Sequence, residues 1–270
     1  MKRKFRGAAF AAAPFLIATP AYAQGGGFSA PRNAVVDAGG AKSVEVDAAA
    51  GSLRVEGKAG LRQVQVTGTA RASSQQILSQ IRLIAERRGD LVYIKADIPD
   101  QDYRGGEDYN AGLDLVIEVP QGINAEISDG SGDAKIYNVG ALEATDGSGD
   151  FLVEGAAGSV RVTDGSGNLT IENVTGDVRV SDGSGDVKVR NVSGSFIVES
   201  DGSGGLYATD VRGSVVIESD GSGNIDVNKV GKDFTVNSKG SGTIDYDSVT
   251  GRVDIPERHR DRRYRSGEDR

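Results

Sequence analysis

The chain has no cysteine and a single histidine, His259, in its 270 residues. Without cysteine there is no disulfide staple, so a folded domain has to rest on an apolar core and a backbone hydrogen-bond ladder. Nor is there a thiol to carry a lipid anchor. One histidine, set in a charged C-terminal stretch, leaves a Ser-His-Asp constellation little to work with. A Gly-x-Ser-x-Gly elbow and a phosphate-binding loop are also missing. After the first 23 residues no apolar run approaches the roughly 20 residues of a membrane-spanning helix. A positive excess is lacking too: 31 Lys and Arg are outnumbered by 39 Asp and Glu, and the formal net charge is −8, a balance that disfavours nucleic acid and bare anionic membrane as partners.

Most of the basic excess that does occur near the start belongs to a targeting segment. Lys2, Arg3, Lys4 and Arg6 precede an Ala/Phe/Leu run interrupted by Pro14 and Pro20, and Ala21-Tyr22-Ala23 has the small-x-small pattern of a signal-peptidase site. Residues 1–23 therefore read as a cleaved signal peptide. The mature chain should begin at Gln24, more acidic than the whole, exported to the periplasm or the cell surface and without a transmembrane segment. Gln24–Asn33 is Gly-rich and reads as a flexible lead-in.

What the sequence has in abundance is one tetrapeptide. Asp-Gly-Ser-Gly begins at Asp129, Asp146, Asp164, Asp182, Asp201 and Asp220, and a variant begins at Lys239, at intervals of 17 to 19 residues. A fixed period near this length marks a stacked repeat. Each unit divides into two halves with an x-apolar-x-apolar strand apiece. Period-two alternation sends four columns inward. The first holds Ala134, Phe151, Leu169, Val187, Leu206, Ile225 and Ile244. The second holds Ile136, Val153, Ile171, Val189, Ala208, Val227 and Tyr246. On the other half, Leu142, Val160, Val178, Phe196, Val215, Phe234 and Val253 form one column, and Ala144, Val162, Val180, Val198, Ile217, Val236 and Ile255 form its neighbour. No charge enters any of the four.

Asp-Gly-Ser-Gly corners alternate with Asn-Val-x-Gly corners, as at Asn173–Gly176 and Asn191–Gly194. Two corner types in strict alternation fit a coil in which each type stacks on itself, with an antiparallel meander as the alternative. The expected fold is all-β: a right-handed parallel β-solenoid of about 18-residue coils, spanning residues 34–256. Residues 73–112 interrupt it. Ser-Ser before Gln-Gln suggests a short capped helix, Ile81–Arg88 and Leu91–Ile98 suggest a hairpin leaving the stack, and residues 99–112 read as an exposed loop. Residues 257–270 read as a disordered charged tail.

The corner Asp residues invite a functional reading. In register they make a ladder of like charges about 4.8 Å apart, which hydrogen bonds from backbone N–H groups two residues on, or from serine, would offset. A calcium column through Asp129, Asp146, Asp164, Asp182, Asp201 and Asp220 is the sharper alternative. Lys239 and the variable residue after the second glycine argue against it, because repeated calcium sites hold their ligands strictly. For catalysis the sequence nominates no residue. A glycan-active β-helical enzyme remains the competing class, and ice binding is disfavoured because the outward positions carry no Thr-x-Thr array. Ile197 and Val216, two outward apolar residues on successive coils, are the candidate partner-contact strip.

Ile117-Glu-Val-Pro120 followed by Ser131-Gly-Asp133, and the unit Asp182–Asp186, resemble the bacterial "putative adhesin" family of β-strand-repeat domains of unknown function, over roughly Val35 to Ile255. The resemblance implies a non-enzymatic binding or structural module of the cell envelope whose partner is an envelope protein or glycan. It implies no catalytic residue, cofactor or metal.

Overall fold

The structure is a computed structural model and describes residues 27–99 and 109–257. The expected signal peptide, most of the polar loop before residue 109, and the tail with His259 lie outside the described residues. Apart from one short helix, the described chain is strand and turn, wound into a solenoid of about seven turns of about 19 residues.

Its coils pack two sheets face to face. From Ala134–Tyr137 to Ile244–Val249 each coil adds one strand to the first sheet, and from Asn124–Ser131 to Val253–Asp254 one to the second. All these pairs are parallel and keep like with like: Leu169 is in register with Val187, Val187 with Leu206, and Leu206 with Ile225. The parallel coil, not the meander, is thus the arrangement adopted. Nearly every member of the four expected columns is buried, the last coil's Tyr246 and Val253 being half-buried where no described strand stacks above them. An isolated coil could not bury these residues; neighbours cover both sides of each layer, so stability is shared between adjacent coils.

Two further columns point inward, making six. At the Asn-Val corner, Val139, Ala156, Val174, Val192, Val211 and Val230 are buried. The residue before each valine adopts a left-handed conformation, with φ between 54° and 60° at Asn138, Asn173, Asn191, Asp210 and Lys229. Asn tolerates this conformation better than most residues, and it turns the following valine back into the core. The sixth column is the leading residue of the Asp-Gly-Ser-Gly corner.

The N-terminal end of the stack is woven rather than wound. Ser43–Ala50 and Leu53–Lys58 form one complete level, inserted between Asn124–Ser131 and Leu91–Asp97 in the second sheet and between Ala134–Tyr137 and Ala111–Pro120 in the first. The hairpin of Arg82–Arg88 and Leu91–Asp97 does not leave the stack as expected. Val92, Ile94 and Ala96 are buried, and their strand extends the second sheet in parallel with Ser43–Ala50. The helix Gln75–Gln80 forms as read, with the Ser74 hydroxyl accepting from the Ile77 amide at 3.2 Å. The lead-in reading fails from Phe28 onward. Phe28–Asp37 is a strand paired antiparallel with Gln63–Ala72 and closes the first sheet at that end.

Candidate functional site: a buried aspartate column

The Asp-Gly-Ser-Gly corner is held by its backbone. Gly149 donates to the Ser166 carbonyl, Gly167 to Ser184 and Gly185 to Ser203, at 2.9 to 3.0 Å, so the inter-coil ladder runs straight through the turn. The two glycines serve different needs. The first lies against the coil before it: a Cβ on Gly183 would come within 2.4 Å of the Gly165 carbonyl oxygen. The second combines that crowding with a φ of 134° at Gly185, open only to a residue without Cβ.

The residue after the second glycine forms its own ladder. Asp133 Oδ1 accepts from the Asp150 amide at 3.2 Å, Asp150 Oδ1 from Asn168 at 3.2 Å, Asn168 Oδ1 from Asp186 at 3.3 Å, and Asp186 Oδ1 from Gly205 at 3.0 Å. Only a short side chain with an acceptor is required, which explains the alternation of Asp and Asn at this position.

With the corner amides satisfied in this way, the leading aspartates are left inside. Asp129, Asp146, Asp164, Asp182, Asp201 and Asp220 are all 2% to 5% exposed. They are in register from coil to coil. The expected hydrogen bond from two residues on is well formed at Asp164, whose Oδ1 accepts from Ser166 N at 3.1 Å, and is only a weak contact from Ser148 at Asp146 and from Ser203 at Asp201. Neither carboxylate oxygen of Asp129, Asp146, Asp182 or Asp201 has a well-formed hydrogen bond. The adjacent amides, such as Gly130 beside Asp129, give only partial electrostatic compensation.

The consequence is a set of weak acids. Burial, reinforced by the charge of Asp146, pushes Asp129 up to about 7. Burial and the flanking Asp164 and Asp201 do the same for Asp182, to about 7. Asp146 rises to about 6 through burial and Asp164. Asp201 rises to about 6 through burial and Asp220, against the opposing pull of Lys239. Asp164 is raised less, since burial there is opposed by the Ser166 and Gly165 amides.

Both ends of the column are finished differently. Below Asp129 the inserted level places Ala48–Ala50 at the corner, with Ala49 in register with Asp129 and Ala48 buried. Above Asp220 stands Lys239, 1% exposed, its Nζ 3.2 Å from Asp220 Oδ2 and donating to the carbonyls of Gly223 and Ser241. The seventh-coil lysine is therefore a continuation of the column and its counter-charge.

The structure brings all six nominated calcium ligands into one line, but one carboxylate per level is a poor calcium shell, which takes six to eight oxygens. Among the described residues no three His, Cys, Asp or Glu side chains converge as metal ligands. Ile197 and Val216 do lie side by side, in register and half-buried, on the outer face of the second sheet. Earlier in the same outward column come Glu126, Glu143, Arg161 and Arg179, which with Ser159 and Asp177 line an open groove of about 420 Å³. Glu199, an inserted residue at the break in register between Val180 and Ser181, reaches back to Arg161 at 2.9 and 3.0 Å. Sequence reading missed the burial of the aspartates and this inter-coil pair.

No protein-family model matches the chain, and no curated protein matches it. Solved structures do align with it. A "putative cell adhesion protein" from Clostridium sporogenes is 12% identical, with 84% of this chain and 99% of that chain covered and a TM-score of 0.33. A "putative adhesin" from Bacteroides fragilis is 12% identical, covers 84% and 97%, and has a TM-score of 0.35. A "putative lipid binding protein" from Parabacteroides distasonis is 14% identical, covers 83% and 96%, and has a TM-score of 0.30. At these identities and scores the chain is similar to them in outline, and no function is carried across.

Proposed function

We propose that the protein is an exported, non-enzymatic binding or structural module of the bacterial cell envelope, which offers the outer faces of its solenoid to an envelope protein or glycan. The observation that carries this reading is the in-register outward column of the second sheet. It passes from Glu126 and Glu143, through Arg161 and Arg179, to Ile197, Val216 and Thr235, one residue per coil. Acidic, basic and apolar stretches succeed one another along a straight face at about 4.8 Å intervals. Such a face suits recognition of an extended partner, whose successive groups meet different chemistry at each level. Catalysis asks for acid, base and nucleophile to converge on one point, whereas these side chains are spread along a line.

The test is saturable retention of the labelled mature protein on isolated envelope fractions, compared with the Ile197→Lys/Val216→Lys variant. Retention that the double substitution weakens, with the melting temperature preserved, supports the reading. Equal retention by both proteins would remove the strip from it, and reproducible cleavage of a polysaccharide by the wild type would replace the module with an enzyme.

A further inference from the structure

Six aspartates and one lysine are the only buried polar or charged side chains among the described residues. Lys239 answers one charge, that of Asp220. Five carboxylates remain; Asp164 alone receives a well-formed hydrogen bond, from Ser166, and the corner amides beside the others compensate them only in part. The other titratable groups whose charge acts on the column are Asp133, Asp150 and Asp186, one residue past each corner, and these add negative charge. Lys239 is the cation that acts on it, and it sits at the far end. An isolated ionised carboxylate in such surroundings costs far more than a fold can absorb, and the usual resolution is neutralisation.

The geometry supplies a way to halve the charge of the column and delocalise what is left with about half its protons. Parallel in-register strands set equivalent residues about 4.8 Å apart, within reach of short carboxyl-to-carboxylate hydrogen bonds of about 2.5–2.7 Å between oxygens. We infer that Asp129, Asp146, Asp164, Asp182 and Asp201 form a proton-sharing spine. In it a protonated carboxyl on one coil donates to an ionised carboxylate on the next, and the solenoid tightens as the surroundings turn from neutral to mildly acidic. The ligand of this site is the proton. The alternative, a chain of metal ions, lacks converging ligands among the described residues. The inference concerns the interior and is independent of what the outer faces bind.

Two measurements on the full-length mature protein test it. The first follows the side-chain carboxyl carbons of ¹³C-labelled aspartate by NMR from about pH 4 to about pH 9. A group of resonances should titrate in overlapping steps at about pH 6 or above, and Asp182→Asn should both remove one resonance and shift the midpoints of its neighbours. Titration of every aspartate below about pH 5 would overturn the inference. The second compares denaturant midpoints at about pH 5 and about pH 8, with excess calcium, excess magnesium or chelator. A higher midpoint at the lower pH and no response to metal are expected. A metal-dependent rise at the higher pH would overturn the proton in favour of a cation, and an equal or lower midpoint in acid would overturn the spine altogether.

Discussion

The ammonium of Lys239 lies 3.2 Å from the carboxylate of Asp220, and neither side chain has any accessible surface. Removing one partner of a buried ion pair leaves the other charge uncompensated and costs about 3–5 kcal/mol, while replacing both is often tolerated. Lys239→Met should therefore lower the denaturant midpoint steeply. Lys239→Met combined with Asp220→Asn should recover most of the loss. A double-mutant cycle by equilibrium unfolding reads the coupling directly.

Asp182 gives the pH dependence its sign. Its folded-state pKa is raised to about 7, so between the ordinary carboxylate range of about 4 and that value the folded protein holds a proton the unfolded chain has released. This contribution is fully present below about pH 4 and is lost as the pH climbs toward 7, at up to about 1.4 kcal/mol per pH unit for one proton. Asp182→Asn, which cannot ionise, should raise the unfolding midpoint over wild type at about pH 8 and leave it nearly unchanged at about pH 4. Chemical denaturation of the two proteins across that range checks it.

The same residue shows what the sequence could and could not disclose. Val178, Val180 and Asp182 continue one period-two alternation, as do Leu142, Ala144 and Asp146. Parity thus pointed the aspartate inward, while its type and its glycine neighbours spoke for an exposed turn. The four sheet columns were legible because apolar residues repeat them coil after coil. The valine column was not, because the left-handed residue before it breaks the alternation: Ile171 and Val174 are both buried with Asn173 at φ 60° between them. The Glu199–Arg161 pair spans 38 positions and depends on an insertion whose effect on register appears only once the coils are stacked. The weaving of the first level likewise rests on which strands are neighbours, and residue patterning carries no such information.

Glycine at the corner is a packing requirement, and two substitutions separate it from backbone conformation. A Cβ on Gly185 would lie 1.6 Å from the Gly167 carbonyl oxygen, at a φ of 134°. At Gly122, φ is 76° with nothing within 4 Å of the added atom. Gly122→Ala should cost about 1–2 kcal/mol, the strain of a left-handed alanine. Gly185→Ala must push two coils apart and should cost more than about 4 kcal/mol, enough to lose cooperative unfolding of the stack. Thermal melts of the two variants distinguish the mechanisms.

The opposite corner leaves stability to be gained at Lys229. Its φ of 54° is the conformation that Asn138, Asn173 and Asn191 adopt at the same place in earlier coils, and lysine bears the left-handed penalty of about 1–2 kcal/mol that asparagine partly escapes. Its one ion pair, to Asp210 at 3.4 Å, joins side chains that are 63% and 46% exposed and is worth at most about 1 kcal/mol. Position 229 stacks on Asp210, and an asparagine there can instead donate its amide to the Asp210 carboxylate, as Asn191 Nδ2 donates to Asn173 Oδ1 at 2.7 Å two coils earlier. Lys229→Asn should raise the melting temperature, with a gain of about 0.5–1 kcal/mol. Lys188→Asn, on a strand with ordinary backbone angles, should not. A melting temperature unchanged or lowered by Lys229→Asn would show that the ion pair, rather than the backbone, governs this position.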